Sequence, residues 1–213
     1  MYGYYFDPTY FLLVIGMLLS LAASARVKST FAIYSRVRSA SGLTGAEAAR
    51  RILHMAGITD VTVVPISGSL TDHYDPRNKV LRLSDATYGQ CSVAAVGVAA
   101  HECGHAIQHA RGYAPLQFRS ALVPVANFGS MIAWPLIVLG LFINSQSSAL
   151  LINIGILAFS LAVLFQLVTL PVEYNASGRA VRILAETGMM QGEEIVATKK
   201  VLNAAALTYV ASA

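Results

Sequence analysis

His101-Glu102-Cys103-Gly104-His105 is the stretch of sequence that decides how this chain is built. It matches the pattern H-E-x-x-H and lies in an apolar run, residues 93–108, that we expect to be helical. Residues four apart lie on one face of an α-helix, so both imidazoles can reach one metal ion. Glu102 stands beside them with a carboxylate that can act as general base on water, the arrangement typical of zinc metallopeptidases.

The residues around this motif predict that its helix is buried. They are small and apolar, and two imidazoles and a carboxylate inside such a helix need polar partners, which a metal would provide. Gly104 in mid-helix is unfavourable by about 1 kcal/mol relative to Ala, so we expect another part of the chain to approach closely there. Cys103 is offset from the two histidines by about half a turn, which places it in the core.

Composition favours a membrane protein with a small soluble domain. Hydrophobic residues make up 55% of the 213 residues and charged residues only 12%, which is about half the usual share for a soluble domain. The net charge of +4 comes without a basic stripe, so we expect no nucleic-acid partner. The two cysteines are too few for a disulfide framework.

Residues 1–25 are predicted to form an N-terminal transmembrane anchor, with an uncharged run over residues 10–25. A cleaved signal peptide is the alternative, and the absence of positive charge before the run argues against it. Aromatic residues that could form an interfacial belt precede the run: Tyr2, Tyr4, Tyr5 and Phe6. Basic residues follow it and place its C-terminal end in the cytoplasm, with the N-terminus outside: Arg26, Lys28, Arg36 and Arg38.

Residues 121–171 are predicted to form a transmembrane hairpin, with apolar runs over 121–143 and 149–170 joined by a polar turn. A buried hydrophobic hairpin in a soluble protein is the alternative. The turn carries no Lys or Arg, whereas basic residues flank the hairpin on both sides: Arg111, Arg119, Arg179 and Arg182. Both ends of the hairpin therefore lie in the cytoplasm, in agreement with the topology of the anchor.

Residues 26–120 are expected to form a cytoplasmic catalytic domain that residues 172–213 complete. Thr44 and Glu47 form a predicted capping box for a helix that ends at Gly57, and strands are expected at 60–65 and 79–84. If the second strand lies at the sheet edge beside the metal, it can bind an extended peptide by strand addition; an internal strand without a ligand is the alternative. The apolar C-terminus, residues 201–213, is either a helix on this domain or the start of a further span.

Glu173 is the candidate for the third protein ligand that a catalytic zinc requires. It lies where the third span reaches the cytoplasmic side, just before a helix predicted over 176–187. The alternative for Glu173 is a solvated glutamate at the interface. His109 continues the i, i+4 series but lies one turn further along, so we interpret it as structural or exposed.

Four separated segments of the chain resemble the YugP-type family of bacterial membrane-bound neutral zinc metallopeptidases: residues 70–77, 97–108, 170–177 and 204–210. The resemblance implies a mainly α membrane protein with about three transmembrane helices and an α+β zincin-like (gluzincin) cytoplasmic domain, similar to the HtpX-type peptidases. It implies one zinc ion per chain, with His101, His105 and Glu173 as ligands and Glu102 as general base. Family members often have an acidic residue where this chain has Asn175, and they continue with a further apolar helix after Val210.

These observations predict a multi-pass membrane metalloendopeptidase that hydrolyses cytoplasm-facing or membrane-protein substrates, with a peptide or protein substrate and the lipid bilayer as partners. The alternative is a non-catalytic membrane adaptor or regulator with a structural zinc site and a membrane-protein partner. Small residues such as Gly129 and Gly155 would permit close helix packing in either case. His73 or Arg179 could stabilise the oxyanion, although no spacing selects between them. Intramembrane proteolysis is disfavoured because the motif lies well before the hairpin.

Overall fold

The computed structural model describes residues 9–143 and 147–212. Within these ranges the chain is mainly helical and contains one small sheet, as the sequence predicted. The helices are α1 (Thr9–Tyr34), α2 (Gly45–Met55), α3 (Val93–Ala110), α4 (Ala114–Phe142), α5 (Ser148–Glu186) and α6 (Glu193–Ser212). The strands are β1 (Thr62–Ile66), β2 (His73–Asp75) and β3 (Val80–Ser84).

Three of the described helices are long and apolar enough, by length and composition, to cross a membrane. They are Val14–Tyr34 within α1, and α4 and α5 over their full lengths. Helix α1 extends beyond the predicted anchor, which ended at residue 25, because the chain stays helical through the basic residues that follow it. The predicted aromatic belt before residue 7 and residues 144–146 of the predicted turn lie outside the described part of the chain.

Helices α4 and α5 pack so closely that the backbone of one approaches the backbone of the other at two glycines. A Cβ atom added at Gly129 would lie 2.7 Å from the Ala158 carbonyl oxygen, and one at Gly155 would lie 2.9 Å from that of Ala133. Such distances leave no room for a side chain, so these glycines allow close helix packing as the sequence predicted. Gly129 and Gly155 therefore lie in the contact between α4 and α5 and do not form a surface for a partner protein.

Helix α5 runs without a break from the apolar hairpin into the polar part of the chain. We predicted a span that ends at residue 170 and a separate helix over 176–187, but the structure has one helix with Pro171 inside it. Proline removes one helical hydrogen bond at a cost of about 3 kcal/mol. Val172, Ala176 and Ala180 are fully buried on one face, and this packing sustains the helix past the proline.

The sheet has the order β1-β3-β2, with β3 parallel to β1 and antiparallel to β2. The strand at 79–84 therefore lies in the centre of the sheet, and the expectation that it is the edge strand beside the metal is wrong. Leu81 and Leu83 on β3 are fully buried, as suits a central strand. The edge strand on that side is β2, a three-residue strand whose sequence is too short to give a periodic signal.

Helix α3 lies in the core and contacts α2, α5 and α6. The predicted capping box starts α2: the Thr44 hydroxyl accepts from the Glu47 N–H, and the Glu47 carboxylate accepts from the Thr44 N–H. Gly57 follows the helix with φ +73°, a left-handed conformation that favours glycine. Cys103 is buried and its thiol faces the Ala49 carbonyl, which confirms its predicted place in the core.

Helix α6 packs along α1 and also contacts α3 and α5. The Ser20 hydroxyl of α1 donates to the Ala211 carbonyl of α6 at 2.9 Å, so the end of α6 lies beside the apolar half of α1. Val201, Leu202 and Ala204 are buried. The stretch that the sequence left open between a domain helix and a further span is, as far as Ser212, a helix packed against α1, α3 and α5.

Candidate metal centre

His101, His105 and Glu173 place three ligand atoms within 4.8 Å of one another. The His101 Nε2 atom lies 3.2 Å from the His105 Nε2 atom and 3.2 Å from the Glu173 Oε2 atom. The distance from the His105 Nε2 atom to the same Glu173 oxygen is 3.5 Å. His105 and Glu173 are buried and His101 is half-buried, so the triangle is largely shielded from solvent.

The spacing of these three atoms fits a tetrahedral metal ion. Ligands bound to zinc at about 2.0–2.1 Å with tetrahedral angles are separated by about 3.3 Å. Two imidazole nitrogens and a carboxylate oxygen are also the donor set of a catalytic zinc site with one position left for water. A cation at the centre of the triangle would contact all three of these donor atoms at once.

The close approach of α3 and α5 brings the third donor to the other two. A Cβ atom at Gly104 would lie 2.6 Å from the Ala176 carbonyl oxygen, so only glycine permits this helix separation. This finding confirms the expectation that another part of the chain approaches Gly104. Glu173 precedes Ala176 by about one helical turn. The contact at Gly104 therefore determines where along α3 the Glu173 carboxylate meets the two histidines.

The ring nitrogens on the far side of both histidines have hydrogen-bond partners. The His101 Nδ1 atom lies 3.1 Å from the Ser177 hydroxyl, and the His105 Nδ1 atom lies 3.0 Å from the Gln108 Oε1 atom. Metal-binding histidines are commonly oriented in this way by partners on the second ring nitrogen. The second oxygen of Glu173 lies 3.3 Å from the Arg119 guanidinium, which leaves its Oε2 atom facing the histidines.

Glu102 faces a cavity of about 470 Å³ that the two histidines and Glu173 also line. Glu102 is only 8% exposed, and among the described residues its carboxylate has no hydrogen bond or ion pair. A buried carboxylate without a protein partner is available to a water molecule or a substrate in the cavity. Cavity walls come from α1, α3, α4, α5 and α6 and from the segment that includes β2.

The cavity also contains groups that the sequence analysis missed. Arg119 from α4 and Tyr209 from α6 both line it. Burial, together with the charge of Glu173 beside it, raises the pKa of the Tyr209 phenol to about 12, so the phenol keeps its proton at neutral pH. Tyr209 lies in one of the four segments that resemble the family, so that resemblance could have identified it from the sequence. Arg119 is identified only by the structure, in which α4 folds over the site.

The two oxyanion candidates from the sequence lie in different places. His73 on β2 lines the cavity, with its Nδ1 atom 2.9 Å from the Thr71 carbonyl oxygen. Arg179 is outside it, because its Nε atom donates to the Asn175 Oδ1 atom at 2.7 Å and its guanidinium lies over the Tyr113 ring. The oxyanion role considered for Arg179 is therefore wrong.

His109 is exposed and lies away from the triangle, in agreement with the interpretation from its spacing. Its Nδ1 atom lies 2.9 Å from the Tyr74 hydroxyl, so it connects the end of α3 to β2. This contact holds the edge strand against the helix that carries the two candidate ligands.

Comparison with known proteins identifies the class to which this site belongs. A family model described as "Putative neutral zinc metallopeptidase" matches residues 9–213, and the chain belongs to that family. The chain is 49% identical over 203 residues, 95% of its own length and 89% of the relative's, to the "Putative membrane protease YugP" of Bacillus subtilis (strain 168). The resemblance to the YugP-type family is thus confirmed. No solved structure matches the chain.

Proposed function

We propose that the chain is a membrane-anchored zinc metalloendopeptidase in which His101, His105 and Glu173 bind one zinc ion. The observation that carries the proposal is the juxtaposition of this three-donor triangle with the unpaired Glu102 carboxylate in one cavity. Within the described residues the group contains three donors, which leaves one tetrahedral position for water. A structural site would have four protein ligands and no use for a carboxylate beside it.

The bound zinc would polarise the scissile carbonyl and lower the pKa of a water toward 7. Glu102 accepts the proton of the attacking water and passes it to the leaving amine. Tyr209 keeps its proton and can donate to the developing oxyanion, and Arg119 adds a positive charge on the same side of the cavity. Arg119 also holds the Oε1 atom of Glu173, so it orients a ligand as well.

The edge strand β2 is the proposed binding surface for an extended substrate. His73 and Tyr74 on this strand line the cavity beside His101 and Glu102. One side of β2 pairs with β3, and a peptide added to the other side would gain main-chain hydrogen bonds with little sequence preference. We therefore propose that a substrate peptide adds to the edge of β2, and not to β3 as expected from the sequence.

The cavity adjoins the helices proposed to cross the membrane. Val27 of α1 and Val123 of α4 belong to its lining, and each lies close to the apolar part of its helix. A cytoplasm-facing segment that leaves the bilayer would reach the site over a short distance. This supports membrane proteins as substrates. The proposed topology, with the N-terminus outside and the active site in the cytoplasm, rests on the basic residues that flank the apolar runs.

Replacement of Glu102 by Gln tests the assignment. The full chain in nanodiscs is compared with E102Q for bound zinc, and for cleavage of labelled casein and of a single-span reporter with an unfolded cytoplasmic segment. We expect the same zinc content in both proteins and hydrolysis by the wild type alone. Equal cleavage by E102Q would refute the general-base role. Zinc-loaded wild type that cleaves neither substrate would favour the adaptor.

A further inference from the structure

Gln108 is a fully buried polar side chain one turn after His105 on α3. A buried amide is costly unless its donors and acceptor are satisfied. Its side-chain hydrogen bonds connect the candidate ligand His105 to helix α5. Gln108 ends the segment 97–108 that resembles the family, but the spacing of the histidine motif does not single it out.

The orientation of the Gln108 amide follows from its contact with Val172. One end of the amide lies 2.9 Å from the Val172 carbonyl oxygen. A carbonyl oxygen can only accept, so the atom that faces it must be the NH₂ group. The Oε1 atom then faces the His105 Nδ1 atom at 3.0 Å.

This orientation determines the tautomer of His105. The Gln108 Oε1 atom has no hydrogen to donate, so the Nδ1 atom of neutral His105 must carry the ring proton. The Nε2 atom then holds a lone pair, and that atom is the one that faces His101 and Glu173. His101 differs, because its partner is the Ser177 hydroxyl, which can donate or accept and therefore leaves either tautomer available.

The Arg179 guanidinium fixes the orientation of the Asn175 amide, and Asn175 in turn holds the NH₂ end of Gln108. The Asn175 Oδ1 atom accepts from the Gln108 NH₂ at 3.0 Å and from the Arg179 Nε atom at 2.7 Å. A guanidinium can only donate, so it is the oxygen of Asn175 that lies between these two groups. Arg179 itself is held over the Tyr113 ring. Every hydrogen bond from Arg179 to His105 therefore has a defined direction.

We propose that Gln108 is a positioning residue that presets the metal-binding tautomer of His105, with Asn175 and Arg179 holding its amide in place. The inference rests on the proposed zinc site and assigns a role to three residues that do not touch the metal. A preset lone pair removes the cost of tautomer exchange and ring reorientation when zinc binds. Loss of such an outer contact lowers metal affinity by about ten- to a hundredfold.

The test is the dissociation constant for zinc, measured by competition with a chromophoric chelator on the full chain in detergent. In Gln108→Leu the side chain fills a similar volume without an acceptor, and we expect about ten- to a hundredfold weaker binding. Asn175→Asp keeps an acceptor for both the Gln108 NH₂ group and the Arg179 Nε–H, so its affinity should stay within about threefold of the wild type. The melting temperature of each metal-free variant reports folding separately.

The possible outcomes separate the proposed zinc site from the positioning role. Wild type that binds no zinc would refute the proposed site itself. Folded Gln108→Leu with wild-type affinity, or Asn175→Asp as weak as folded Gln108→Leu, would overturn the positioning role alone. If Gln108→Leu does not fold, Gln108→Lys replaces it. Its ammonium can only donate, so the His105 Nδ1–H has no acceptor and binding at least about tenfold weaker than in the wild type is expected. Wild-type affinity in Gln108→Lys would overturn the proposal.

Discussion

Replacement of Gly104 by Ala is expected to weaken zinc binding while the fold is retained. The added Cβ atom would lie 2.6 Å from the Ala176 carbonyl oxygen, and ordinary contact begins at 3.4 Å. Because the obstacle is backbone, α5 must move by ~0.8 Å relative to α3 for ordinary packing. Glu173 lies one turn from this point and moves with the helix.

The size of the effect follows from the donor distances. A shift of ~0.8 Å lengthens the 3.2 Å separation of His101 Nε2 and Glu173 Oε2 toward about 4 Å, whereas a tetrahedral zinc needs about 3.3 Å. We therefore expect at least about a tenfold loss of zinc affinity. Overpacking lowers the free energy of unfolding by about 1–3 kcal/mol, and the better helix propensity of Ala raises it by about 1 kcal/mol. The net destabilisation is therefore at most about 2 kcal/mol.

The assay pairs zinc titration with thermal unfolding of the metal-free protein. Gly178→Ala is the matched control, since it lies on α5 and its Cβ atom meets nothing within 4 Å. The control should bind zinc normally and gain up to about 1 kcal/mol from helix propensity. Wild-type zinc affinity in Gly104→Ala, or a stabilisation equal to that of Gly178→Ala, would refute the role assigned to the close helix approach.

Three further predictions concern parts of the molecule away from Gly104. Tyr209→Phe should lower kcat by at least about tenfold, with little change in KM or bound zinc, and unchanged kcat would remove it from oxyanion stabilisation. Thr44→Ala should reduce the free energy of unfolding by about 1 kcal/mol through loss of the capping box, and leave zinc affinity unaltered. In a Cys91→Ser background, a cysteine at Lys199 should react with an impermeant maleimide only from the cytoplasmic side and one at Ser147 only from outside; the reverse pattern would invert the topology.

The local features of the site helix were predictable from the sequence because they depend on neighbouring residues. Thr44 and Glu47 are three residues apart, and their capping box follows from that spacing. The place of Gly104 at a close approach follows from the cost of glycine in a buried helix. Hydropathy likewise identified the three long apolar helices, since length and composition are sufficient for that inference.

The parts that the sequence missed depend on contacts between distant segments. The continuation of α5 past Pro171 is decided by its packing on α3, which local propensity cannot reveal. The edge position of β2 depends on sheet order, and its three residues carry no periodic pattern. Arg119 reaches Glu173 only because α4 folds over the cavity, so no spacing along the chain connects the two.

The most direct test of the three-donor site is the zinc content of the purified full chain, measured by plasma mass spectrometry, beside that of Glu173→Ala. His101 and His105 lie four residues apart on one helix, so only Glu173 reports whether α5 completes the site. We predict one zinc ion per wild-type chain and loss of most of it in the folded variant. Stoichiometric zinc in folded Glu173→Ala would contradict the proposed centre.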